Sequence, residues 1–91
     1  MTAGFDPGKN RTNRKKHGLD LSFGEQVLRD PALLEAADES MDYGEERFNA
    51  LGMVNGKVYA VTYAERADGI RLISVREADK REAARYFQVN R

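Results

Sequence analysis

Residues 70–86 hold the chain's most concentrated set of chemically able side chains. Ile70-Arg71-Leu72-Ile73-Ser74-Val75-Arg76-Glu77-Ala78 is followed by Arg81-Glu82 and Arg85-Tyr86. The spacing reads as a strand and then a helix. A strand needs only alternating apolar residues to sit on a core. Arginine near both ends and a serine in the middle go beyond that need, and suit a surface that holds a phosphodiester. Arg76 is the most telling of these residues, because it closes an otherwise apolar run from Leu72 to Val75.

His17 is the only histidine, and imidazole is the side chain that changes charge near neutral pH. It follows Lys15 and Lys16 and closes a predicted helix, on one face with Asn10 and Asn13 or Arg14. Its structural alternative is to cap helix carbonyls. Lys15 and Lys16 have solvation as theirs, Glu82 a capping box, and Tyr86 the core. No metal set is visible: there is one His, no Cys and no Asp/Glu triplet at ligand spacing. There is also no glycine-rich phosphate loop before a helix and no Ser-His-Asp signature. Metal-free acid–base chemistry without a cofactor is what remains. RNA suits it, because RNA brings its own 2′-OH as nucleophile.

The elements that must position these groups can be read in order. Asp6-Pro7 opens a helix from about Pro7 to His17, and Gly18 stops it. Ser22 with Glu25 resembles a capping box for a short second helix through about Arg29, ended by Asp30-Pro31. Residues 32–38 read as a weak strand, and Asp42-Tyr43-Gly44-Glu45-Glu46 as a loop. Arg47 to Val54 and Lys57 to Arg66 flank Asn55-Gly56, a preferred pair for a two-residue hairpin turn. That turn sets Val54 opposite Lys57. Phe48, Ala50, Val54, Tyr59, Val61 and Tyr63 then share one face of the sheet. Arg47, Asn49, Leu51, Met53, Val58, Ala60 and Thr62 share the other.

A second two-residue turn at Asp68-Gly69 sets Arg66 opposite Arg71, a like-charge pair that needs a carboxylate or a ligand phosphate to compensate it. The same register puts Arg76 near Val61 and Ser74 near Tyr63, on the aromatic face. Asp79 with Glu82 caps a last helix that buries Ala83, Tyr86 and Phe87. The expected fold is α+β: an antiparallel meander packed with two N-terminal helices and one C-terminal helix.

Ninety-one residues without cysteine make one domain, spanning 1–91, with a small core and no disulfides. No apolar run approaches a membrane span, and the N-terminus does not read as a signal peptide, so a cytoplasmic protein is expected. The net charge of zero gives no global argument for nucleic acid. Residues 9–16 nevertheless carry bases and no acid, and residues 30–46 carry acids and no base. The chain turns basic again beyond residue 66.

Several segments together resemble the BrnT toxin family. They are Lys9-Asn10 with Asn13, Lys16-His17-Gly18, Phe23, Asp30-Pro31, Asp42 to Phe48, Leu51-Gly52, Tyr63 to Arg66, Ile70 to Arg76, Ala78, Arg81-Glu82 and Tyr86. Phe5 stands where the family often has an aromatic residue, and Val75 where alanine is common. The resemblance implies a RelE-like fold and a ribonuclease toxin of a type II toxin–antitoxin pair. It also implies a BrnA-like antitoxin partner with a ribbon-helix-helix DNA-binding part, the pair together repressing its operon. On that reading Arg71 and Arg76 hold the scissile phosphate, and His17 or Glu82 moves protons. Lys9, Lys16, Arg66 and Tyr86 contact RNA. The rival readings are a non-catalytic nucleic-acid-binding module and a protein-binding subunit that uses the acidic 30–46 segment.

Overall fold

The computed structural model describes residues 3–39 and 44–90. Its elements run β1 (Ala3–Phe5), α1 (Pro7–His17), α2 (Phe23–Leu28), β2 (Leu34–Ala37), β3 (Arg47–Val54), β4 (Lys57–Arg66), β5 (Gly69–Glu77) and α3 (Lys80–Val89). Asn55 and Gly56 both take positive φ, 50° and 83°, the backbone a type I′ turn requires. The hairpin pairs as that turn dictates, from Val54 opposite Lys57 to Arg47 opposite Ala64. The five strands lie in the order β1-β5-β4-β3-β2. Every pairing is antiparallel except β1 with β5.

Asp6 caps α1 by accepting from the Gly8 amide at 2.8 Å. Gly18, at φ 71°, ends the helix by donating to the Arg14 carbonyl. Leu21, Val27 and Leu28 from the α1–α2 loop and α2 bury against Ala50, Val61, Tyr63, Leu72 and Val75 on one face of the sheet. A side chain at Gly52 would meet the Val27 carbonyl at 2.5 Å, so glycine is what lets α2 approach β3 there. Val58 faces the opposite way from that cluster and is still buried; α3 is the helix that packs on β3 and β4 there.

Several expectations are corrected. Ser22 makes no side-chain cap: it is already helical, and carbonyls of the preceding turn take the first amides of α2. Phe87 is 50% exposed, because Tyr86 occupies the single buried position of that turn. β1 went unread, since three residues carry no pattern. The β4–β5 connection is Ala67-Asp68, so Arg66 faces Gly69 and Arg71 faces Ala64; the like-charge pair does not form. Asp42 and Tyr43 lie outside the described residues. The capping box of α3 is present, with Asp79 accepting from the Glu82 amide and Glu82 from the Asp79 amide.

Candidate nucleic-acid site

Leu72 and Val75 are three residues apart, yet both are fully buried in the same core. In a regular strand they would point to opposite faces. The register accounts for it: Leu72 pairs with Tyr63 and Ser74 with Thr62, leaving Ile73 as an extra residue, a β-bulge. The bulge also decides the site. Arg71 and Arg76, five apart, come to share the face away from the core, with Ser74 between them. Ser74 sits opposite Thr62 and Arg76 opposite Ala60, which corrects the expected placement on the aromatic face.

α3 leaves part of this face open as a cleft of about 340 Å³. Glu35, Asn49, Thr62, Ser74, Arg76, Glu82 and Arg85 are the polar residues of its lining. Thr62 donates to Asn49 at 2.8 Å. Arg76 grips Glu82 with two hydrogen bonds, Nη1 to Oε1 at 2.7 Å and Nη2 to Oε2 at 2.9 Å, the forked geometry peculiar to arginine. That hydrogen-bonded pairing holds the Glu82 carboxyl below its usual range, outweighing the opposing effect of burial, with the Asp79 amide assisting. It raises the Arg76 guanidinium in turn.

On the other side of β5, α1 forms a second cleft of about 510 Å³. Lys9, Thr12, Lys16 and His17 line it from the helix, Asp6 from the turn before it, and Ile73 and Ser74 from the strand. Ser74 thus borders both clefts. The side chains of Lys9, Lys16, His17 and Arg71 have no hydrogen-bond or ion-pair partner among the described residues, so the helix-capping alternative for His17 finds no contact.

Three predicted residues line neither cleft: Arg71, which stands opposite Ala64 beyond both linings, Arg66 and Tyr86. Arg66 pairs with Glu45 at 3.0 Å. Tyr86 is 2% exposed and donates its hydroxyl to Asp30; burial and that bond push it up to about 12. Its ring belongs to the packing of α3. Asn49, Thr62 and Arg85 have no site role in the sequence reading, although Arg85 belongs to its arginine-rich segment. Polar residues on one face of a central hairpin were the available signal for the first two.

Among the described residues no His, Cys, Asp or Glu side chains gather as a metal-ligating group, and no helix is long and apolar enough to cross a membrane. No curated protein matches the chain significantly. A family profile does match, over residues 5–82, described as "Ribonuclease toxin, BrnT, of type II toxin-antitoxin system". It takes in both clefts and every residue placed in them except Arg85. The chain belongs to this family of BrnT ribonuclease toxins of type II toxin–antitoxin systems.

Proposed function

We propose that the chain is a metal-independent endoribonuclease whose RNA supplies the nucleophile. The 2′-OH attacks the adjacent phosphorus, the P–O5′ bond breaks, and a 2′,3′-cyclic phosphate and a 5′-OH result. Cationic donors must hold the extra charge on phosphorus. Arg71, without a side-chain partner among the described residues, and Arg76, with N–H donors left over from its pairing with Glu82, fill that role. Glu82 is held ionised by Arg76, so it can accept a proton but not donate one, and it is a weak base while that pairing stands. His17 is the group on the α1 side able to return a proton to the leaving oxygen. Lys9 and Lys16 hold backbone phosphates, and Ser74 lies on the path between the clefts.

The observation that carries this reading is the β5 register, which sets Arg71, Ser74 and Arg76 on one open face beside the cationic cleft of α1. RNA incubated with the protein in EDTA should be cut and should carry 2′,3′-cyclic ends, and a deoxyribose at the cleavage position should block the cut. Loss of cleavage in chelator with recovery in magnesium would refute metal independence; RNA left intact in both would favour the non-catalytic binding module. His17→Ala should lower the rate by roughly 10²–10⁴ if His17 transfers a proton.

The partner on this reading is a BrnA-like antitoxin in the cytoplasm, with a ribbon-helix-helix part through which alone the pair meets operator DNA. Its acidic segment covers the groove near Lys16, Arg71 and Arg76. Hydrogen exchange of free and bound toxin should show new protection there. Protection confined to 30–46 would place inhibition at the acidic segment instead.

A further inference from the structure

α1 reads Pro-Gly-Lys-Asn-Arg-Thr-Asn-Arg-Lys-Lys-His and contains no large apolar residue. A helix ordinarily docks through an apolar stripe; this one has none to offer. Its only buried residue is Asn13, 4% exposed and the one buried polar side chain among the described residues. β1 pairs with β5 only as far as Leu72, so past that point the outer edge of β5 has no strand beside it. Asn13 takes the strand's place. Its Oδ1 accepts from the Val75 amide at 3.0 Å and its Nδ2 donates to the Val75 carbonyl at 2.8 Å. The same Nδ2 donates to the Leu19 carbonyl at 2.9 Å, which ties the loop after the helix to the same point.

We infer that Asn13 is a positioning residue for RNA cleavage, fixing the cationic face of α1 in register with the bulged strand that carries Arg71, Ser74 and Arg76. The inference rests on the ribonuclease reading above. Directional hydrogen bonds can set a register that non-directional apolar contact leaves free to slide. Only a carboxamide offers two donors and an acceptor at this reach. Lys9, Lys16 and His17 stand four before, three after and four after Asn13, and so share its side of the helix. Ser74 and Arg76 flank Val75. One side chain therefore sets the distance between the two halves of the groove, and a displacement of about 1 Å between catalytic groups is enough to cost roughly 10²-fold in rate.

The test compares wild type, Asn13→Ala, Asn13→Asp and Asn10→Ala on one RNA substrate, at a temperature where melting curves show each variant folded. Asn10 accepts from the Leu21 amide at 2.7 Å and makes no side-chain hydrogen bond to β5 among the described residues, so Asn10→Ala controls for loss of helix anchoring alone. Asn13→Ala should lower kcat roughly 10–100-fold with KM within about threefold, and its Val75 amide should exchange faster. Asn10→Ala should keep wild-type kcat. Asn13→Asp keeps the acceptor but lacks a donor until its carboxyl is protonated, so its kcat relative to wild type should climb as pH falls. Wild-type kcat in folded Asn13→Ala, or losses that follow melting temperature equally in the Asn10 and Asn13 variants, would overturn the positioning role and leave the ribonuclease reading intact. A wild type that cuts no RNA would overturn both.

Discussion

The two borders of the sheet treat their cations in opposite ways. Beside β5, Lys9, Lys16 and His17 stand exposed and pair with no carboxylate among the described residues, although Asp6 lines the same cleft. Toward β2 and β3, Arg47 and Arg66 both reach Glu45, at 3.5 and 3.0 Å, and the neighbouring cleft is lined by Asp38, Glu39, Glu45 and Glu46. A net charge of zero conceals this division. The difference shows that an arginine's availability to RNA depends on which carboxylates the fold sets beside it, as much as on its own position. Arg76 is the intermediate case: it is paired, but with Glu82 at the rim of the open cleft and with donors to spare.

Arg76→Ala should break the contrast most sharply. It should cut RNA cleavage by roughly 10²–10³-fold, the usual scale for losing one donor to developing charge, and Arg76→Lys should recover little because lysine lacks the forked donor set. Cleavage at the wild-type rate in a folded Arg76→Ala protein would remove this arginine from the reaction.

Asp30 is a carboxylate committed to folding rather than to guarding a cation. It accepts from the Ala32 and Met53 amides and from Tyr86, joining the end of α2 to β3 and α3. Burial pushes its carboxyl up, but those three hydrogen bonds together hold it below the usual value. A depressed folded pKa contributes stability above the ordinary carboxylate range and loses it as pH falls through the folded value. Asp30→Ala should cost about 1–3 kcal/mol through the stranded donors. Asp30→Asn should flatten the acid limb of stability, as read by denaturant melts from pH 7 to 2.

Lys9→Ala and Lys16→Ala should each weaken RNA binding modestly and lower the salt dependence of affinity by about 0.7 in log–log slope, the value per phosphate for single strands. Arg66→Ala should have the smallest effect: an unchanged slope, and a stability change of about 0.5 kcal/mol or less, as for most exposed ion pairs. Equal slopes for Lys16→Ala and Arg66→Ala would erase the distinction between the two borders.

The features legible in the sequence were those whose causes lie within a few residues. Asp6-Pro7 and Gly18 bound α1 because capping and left-handed glycine are local requirements. Asn55-Gly56 set the register of β3 against β4 because a two-residue turn leaves no slack. His17, Lys9 and Lys16 could be placed on one helix, and Arg71, Arg76 and Glu82 assigned to the next strand and helix. Tyr86 could not be told from an RNA contact, since a tyrosine at helical spacing suits a core equally well; in the fold it is buried and bonded to Asp30.

Composition, turns and caps thus determined the order of elements and the set of chemically able residues. The tertiary structure decided which way those residues face. This β-bulge is hidden in the sequence because Leu72 and Ile73 are both apolar, and either could be the residue that faces the core. Ile73 becomes the extra residue because Leu72 and Val75 both find room in the core beside α2, while Asn13, 62 positions from Val75, holds the strand's free edge. Both causes are long-range packing contacts, and for that reason the shared face of Arg71 and Arg76 could be known only from the folded chain.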